Sequence, residues 1–190
     1  MGKIRTFICF ELPDKIKEKI ADLQDNLKPY GSGVRWTRPD SIHLTLKFLG
    51  DVQEEQITDI TSAVEKASEM IPPLKIQVSG CGAFPNLRRP RVFWVGVKED
   101  SGKLLELQSN IETALEELGF PKEKRNFFPH LTFGRVKSRD GIPEMTDFLK
   151  DHEFELKPFK AEQVIVMQSQ LRPTGAVYTP LQEISLSAKK

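Results

Sequence analysis

Hydrophobic positions recur along the chain with two periods, and the alternation between them predicts a mixed fold. Residues 4–12 are rich in β-branched and aromatic side chains and read as a strand. Pro13 then opens a segment in which Ile16, Ile20, Leu23 and Leu27 recur at helical spacing, and Pro29 ends it. Residues 34–37 predict a short strand, Pro39-Asp40 a turn, and residues 41–49 a further strand that Gly50-Asp51 breaks. Asp51 and Glu54 have the spacing of a capping box, ahead of a helix with the stripe Ile57, Ile60, Val64, Ala67 and Ile71.

Beyond Pro72-Pro73 the pattern predicts strands over 74–84 and 91–98, joined by a basic, proline-punctuated loop carrying Arg88, Arg89 and Arg91. A helix with Leu104, Leu107, Ile111, Leu115 and Leu118 follows and stops at Gly119. Residues 128–136 predict a strand, Pro143 starts a short helix with Met145, Phe148 and Leu149 on one side, and strands over 159–168 and 178–186 close the chain. Strict β–α alternation is missing, which argues for an α+β fold rather than a doubly wound parallel sheet. Nothing resembles an interdomain linker, so residues 1–190 are expected to form one domain.

Composition narrows this picture. The chain has 190 residues, 28 basic and 27 acidic side chains, and a formal charge of +1. Such a balance suits a folded domain and disfavours both disorder and a broad DNA-wrapping surface. Cys9 and Cys81 lie far apart in apolar segments without C-x-x-C spacing, which predicts buried thiols in a reducing compartment rather than a zinc or redox pair. The apolar stretch of residues 6–10 is too short for a signal-peptide core or a membrane span, so a cytoplasmic location is expected and no membrane is implied.

The chemistry lies in an internal echo. Residues 41–49, SIHLTLKFL, are answered by residues 128–136, FPHLTFGRV. Residues two apart share a face of a strand, so His43 and Thr45 point one way while Leu44 and Leu46 point into a core. His130 and Thr132 repeat this, with Leu131 and Phe133 on the buried face. One such pair reads as an ordinary core or edge histidine. The matched pair predicts two similar lobes, each with a largely antiparallel sheet and flanking helices, facing each other across a cleft that holds two imidazoles and two hydroxyls.

The paired His-Leu-Thr-Leu at 43–46 and His-Leu-Thr-Phe at 130–133 resemble the H-x-T-x motifs of the 2H phosphoesterase superfamily, and within it the RNA 2′,3′-cyclic phosphodiesterases, formerly described as 2′-5′ RNA ligases. The likeness extends to Arg5-Thr6-Phe7-Ile8, Pro90-Arg91-Val92-Phe93-Trp94 and residues 168–178. It implies metal- and cofactor-independent opening of RNA 2′,3′-cyclic phosphate ends, tRNA fragments among the candidates, with no obligatory protein partner legible. It further implies that His43 is the proton donor to the departing 3′ oxygen and that His130 accepts a proton from water, leaving a 2′-phosphate. Sequence symmetry alone does not assign those roles. The residue types agree with the chemistry, because an imidazole with a pKa near 6.5 serves as either acid or base at neutral pH.

Thr45 and Thr132 are expected to donate hydrogen bonds to the non-bridging oxygens. Arg135 is a substrate-binding candidate, but it lies at the wrong strand parity to His130 and reaches the cleft only if the strand ends or bulges after Gly134. Phe48 is a candidate for stacking on a base, although its parity matches Leu44 and Leu46 and favours core packing. Lys122, Lys124 and Arg125, with the loop arginines, read as solvated charges that also suit an RNA backbone. His152 is expected to pack at a helix end and takes no catalytic role. Three alternatives stay open: a non-catalytic phosphate- or RNA-end-binding module, a phosphodiesterase for another cyclic or 2′-5′-linked nucleotide, and a two-histidine metallohydrolase, for which a third protein ligand is missing at useful spacing.

Overall fold

The computed structural model describes residues 2–173 and 175–187. Its strands form two antiparallel sheets. The first contains β1 (Lys3–Phe10), β3 (Leu44–Gln53), β8 (Gln163–Arg172) and β9 (Gly175–Ser185), in the order β3-β1-β8-β9. The second contains β2 (Val34–Trp36), β4 (Leu74–Phe84), β5 (Val92–Lys98), β6 (His130–Val136) and β7 (Phe159–Ala161), in the order β2-β6-β5-β4-β7. This is the α+β, two-lobed architecture that the pattern predicts.

Among the described residues four α-helices cover these sheets, and each buries most of the apolar stripe legible in the sequence. α1 (Asp14–Leu27) buries Ile16, Ile20, Leu23 and Leu27, and α2 (Ile57–Ser68) buries Ile60, Val64 and Ala67. α3 (Lys103–Glu116) buries Leu104, Leu107, Ile111 and Leu115, and α4 (Ile142–Asp151) buries Met145 and Leu149. Each large aliphatic or aromatic side chain fully removed from water contributes about 1.5–3 kcal/mol, so these stripes hold the helices down.

The helices trade places between the sheets. α1 follows β1 of the first sheet, yet the amide of its buried Gln24 donates to the carbonyls of Phe133 (2.8 Å) and Thr37 (2.7 Å) at the second. α3 follows β5 of the second sheet, yet its Gln108 donates to the Leu46 carbonyl of the first at 3.4 Å, and its Glu112 accepts from Lys47 at 2.5 Å.

Several boundaries differ from the sequence reading, each for a local reason. Residues 159–168 do not form one strand: Glu162 interrupts them, β7 pairs with β4, and β8 pairs with β1 in the other sheet. Pro39–Ser41 forms a 3-10 turn, so β3 begins only at Leu44 and His43 stands just before it. Gly50 does not end β3. It adopts φ 72° at a bulge, where glycine carries no Cβ penalty, and pairing continues to Gln53. The capping partner is accordingly Gln56, whose Oε1 accepts the Gln53 N–H at 3.0 Å, rather than the Asp51/Glu54 pair. β6 begins at His130, two residues later than the pattern predicts. Cys9 is buried, whereas Cys81 is only half-buried.

Candidate active site

Leu44, Leu46, Leu131 and Phe133 are buried, so the alternation in both echoed segments sends His43, Thr45, His130 and Thr132 to the opposite face. Both faces open on one cavity of about 570 Å³, which all four of these residues line.

A bulge in each strand decides what else reaches it. In β3, Ile8 pairs with Lys47 and Cys9 with Thr45, leaving Leu46 as an extra residue. Leu46 and Lys47 are therefore both buried, and Phe48 turns back to the side of His43 and Thr45, where it is 57% exposed and lines the cavity. The core packing that strict parity favours for Phe48 fails for this reason. In β6 the same event occurs at the same offset: Phe93 pairs with Gly134 and Trp94 with Thr132, leaving Phe133 extra. Arg135 is thereby brought to the cavity by a bulge that begins one residue earlier than the sequence reading required.

Phe48 and Arg135 are thus equivalent positions of the two copies, each five residues past its histidine. Each bulge has a buried amide beneath it. Gln108 serves the Leu46 carbonyl and Gln24 the Phe133 carbonyl. In the second copy Gly134 occupies the place of Lys47, and a Cβ there would stand 2.8 Å from Cγ1 of Val34.

Both imidazoles are anchored alike. Nδ1 of His43 donates to the carbonyl of Ser41 at 3.0 Å, and Nδ1 of His130 to that of Phe128 at 2.7 Å. These bonds hold the proton of the neutral ring on Nδ1 and leave Nε2 for chemistry. Burial pushes His43 down to about 4, against smaller upward pulls from the Ser41 carbonyl and Glu11. His130 is lowered too, chiefly by burial and further by the Arg135 guanidinium, while its Phe128 bond opposes the shift. Tyr178 stands edge-on to His43, centroids 5.1 Å apart, and its hydroxyl pKa is raised by burial despite the nearby Arg135.

The cavity is cationic. Arg35, Arg38 and Arg172 line it together with Arg135. Among the described residues every ion pair uses a lysine, so no carboxylate neutralises these arginines. A pocket with unpaired guanidinium groups and two neutral imidazoles suits an anion whose reaction needs proton transfer.

Arg35, Arg38, Arg172 and Tyr178 escaped the sequence reading because nothing local marks them. Gln24 and Gln108 were findable: each is an amide set within an apolar helical stripe, four residues after Ile20 and Leu104. The basic residues Arg88, Arg89, Arg91, Lys122, Lys124 and Arg125 are exposed, and none lines the cavity. His152 stacks on Phe148 at the end of α4, centroids 5.0 Å apart. Among the described residues no group of three or more His, Cys, Asp or Glu side chains could hold a metal ion, and no helix is long and apolar enough to cross a membrane.

The family description "LigT like Phosphoesterase" matches twice, over residues 10–94 and 95–178, one H-x-T segment falling in each. The chain belongs to the LigT-like phosphoesterase family. Its relatives within that family include the RNA 2′,3′-cyclic phosphodiesterase of Archaeoglobus fulgidus, 38% identical with 94% of this chain and 98% of that protein covered. The protein of the same name from Methanothermobacter thermautotrophicus is 33% identical, with coverage of 97% and 100%. Among solved structures, TT0787 of Thermus thermophilus superposes with a TM-score of 0.80 at 26% identity, covering 96% of this chain and 98% of that one. The two family matches carry one H-x-T segment each, while each sheet draws strands from both halves of the chain.

Proposed function

We propose that this LigT-like phosphoesterase is an RNA 2′,3′-cyclic phosphodiesterase that opens the cyclic end to a 2′-phosphomonoester. The observation that carries the reading is the meeting of two H-x-T segments, from separate sheets, on one cavity with unpaired arginines. The relatives that match nearly the whole chain, named as RNA 2′,3′-cyclic phosphodiesterases, support the same substrate.

In this reading the phosphate lies between the two imidazoles. Nε2 of His130 takes a proton from water as its oxygen attacks phosphorus, and Nε2 of His43 gives one to the departing 3′ oxygen. Thr45 and Thr132 donate to the non-bridging oxygens, each worth on the order of 3 kcal/mol in the barrier when preorganised. Arg135 balances the phosphate charge, and Phe48 offers a face to the terminal base. At pH 7 the His43 ring is neutral in its buried setting, so the arriving phosphodiester anion must raise its pKa before it serves as the acid. With a 5′-hydroxyl in place of water the same groups, in the same roles, join a cyclic phosphate to that hydroxyl, forming a 2′-5′ linkage. An RNA substrate and the buried Cys9 thiol fit a cytoplasmic setting.

The test is product analysis on a short RNA ending in a 2′,3′-cyclic phosphate. The expected product is the 2′-monophosphate. A 3′-monophosphate would reverse the choice of departing oxygen, and tightly bound but unchanged RNA would make the protein an end-binding module.

A further inference from the structure

The wall of the cavity beside His130 continues into an aromatic surface that hydrolysis does not use. Phe128 is 49% exposed and lies outside the cavity lining. Its ring stands edge-on against Trp94, centroids 5.0 Å apart, and against Phe84 at 5.7 Å, and it lies 6.3 Å from the His130 ring. Phe84 in turn meets His130 edge-on at 4.9 Å. Trp94 pairs with Thr132 across the sheet, and its ring lies so close over Gly82 that a Cβ there would collide with it. The platform is therefore rigid and continuous with the H-x-T face of the second lobe. The exposed Arg88 and Arg89 lie in the loop after Phe84, closed by the Arg91 N–H donating to the Phe84 carbonyl at 2.7 Å.

We propose that Phe128, backed by Phe84 and Trp94, is a base-stacking subsite for a second nucleoside, the one whose 5′ oxygen attacks the cyclic phosphate. The inference rests on the reading above, in which the nucleophile enters on the His130 side. Water needs no aromatic platform there, whereas a nucleoside gains from stacking and from having its hydroxyl held near Nε2 of His130. The step balances without any further reactant. The 5′ O–H gives its proton to His130, the new O5′–P bond forms, the P–O3′ bond breaks, and the departing oxygen receives its proton from His43. The cation-bearing loop beside Phe84 suits the phosphates on the 3′ side of the incoming nucleoside.

The experiment supplies a cyclic-phosphate-ended RNA and a dinucleotide with a free 5′-hydroxyl, and measures the ratio of 2′-5′-joined product to hydrolysed end. Water and dinucleotide share the same base, so damage to His130 cancels in this ratio. The Phe128→Ala variant is expected to lower the ratio about tenfold and Phe128→Trp to restore it. An unchanged ratio in Phe128→Ala, or no joined product from the wild type at saturating dinucleotide, overturns the proposal while hydrolysis stands. Failure of the wild type to open the cyclic end at all refutes the underlying function instead.

Discussion

His43 lies face to face with Phe7, ring centroids 4.5 Å apart and planes inclined by 27°, whereas His130 meets Phe84 edge-on at an interplanar angle of 86°. The backbone anchor is the same in both, a carbonyl two residues upstream. The surroundings are not. Phe7 is almost fully buried beneath His43, while the aromatic nearest His130 in sequence, Phe128, is half exposed. The strand supports also diverge: a buried Lys47–Glu112 ion pair lies behind the first bulge, and glycine at position 134 stands in the corresponding place of the second. Two copies of one motif have thus kept their chemistry and exchanged their scaffolding. The ring with the drier setting is also the one pushed to about 4.

That asymmetry can be tested, beginning with the largest effect. His43→Ala and His130→Ala should each lower kcat by about 10²–10⁴-fold, and the double variant should be little worse than either, because acid and base act as a unit. In the wild type the limb controlled by His43 should move to higher pH from the kcat/KM profile to the kcat profile, since bound phosphate restores the lost affinity for a proton. Identical limbs in both profiles would contradict the roles assigned.

Next comes the ion pair. Lys47→Met leaves Glu112 buried without its partner and should cost about 3–5 kcal/mol in urea unfolding. Adding Glu112→Leu should recover most of that loss. Glycine at position 134 has no such couple, so the second bulge has no counterpart to this loss and rescue.

The third test is pH. Between about 6.5 and about 4 the unfolded chain protonates His43 while the folded chain resists, so stability should fall as pH drops through that window. The fall amounts to about 3 kcal/mol and ends once pH is below the folded value. Subtracting the unfolding free energies of His43→Ala isolates this contribution, and a flat difference would rule it out. His130 is shifted in the same direction, so its window also opens below its ordinary value.

The smallest expected effect concerns the buried amides. Gln108→Leu removes the amide from the Leu46 carbonyl, and Gln24→Leu removes it from the Thr37 and Phe133 carbonyls, the latter keeping the Thr37 N–H at 3.0 Å, at about 1–3 kcal/mol each. Gln24 donates at 2.7 and 2.8 Å while Gln108 reaches Leu46 only at 3.4 Å, so Gln24→Leu should be the more damaging.

Much of this was legible beforehand. The helices announced themselves because their stripes bury whole faces, and the H-x-T echo placed His43, Thr45, His130 and Thr132 on one side of their strands. Phe48 and Arg135 were harder for a single reason. A bulge is fixed by which residues pair across the sheet, and a period of two carries no mark of an inserted residue. Lys47 conceals the first bulge: alternation places it in solvent, where a lysine belongs, yet the inserted residue turns it inward against Glu112. The division of residues 159–168 between sheets was equally hidden, since each half satisfies strand propensity and only the long-range partners differ.

The exchange of α1 and α3 between the sheets binds the two repeats more tightly than their separate family matches suggest. A chain severed after Trp94 would leave the Leu46 turn of its first fragment missing the amide that the second fragment carries, and the Phe133 turn of the second missing the one left on the first. Reciprocal debts of this sort mean that neither fragment should shape its own side of the pocket without the other present.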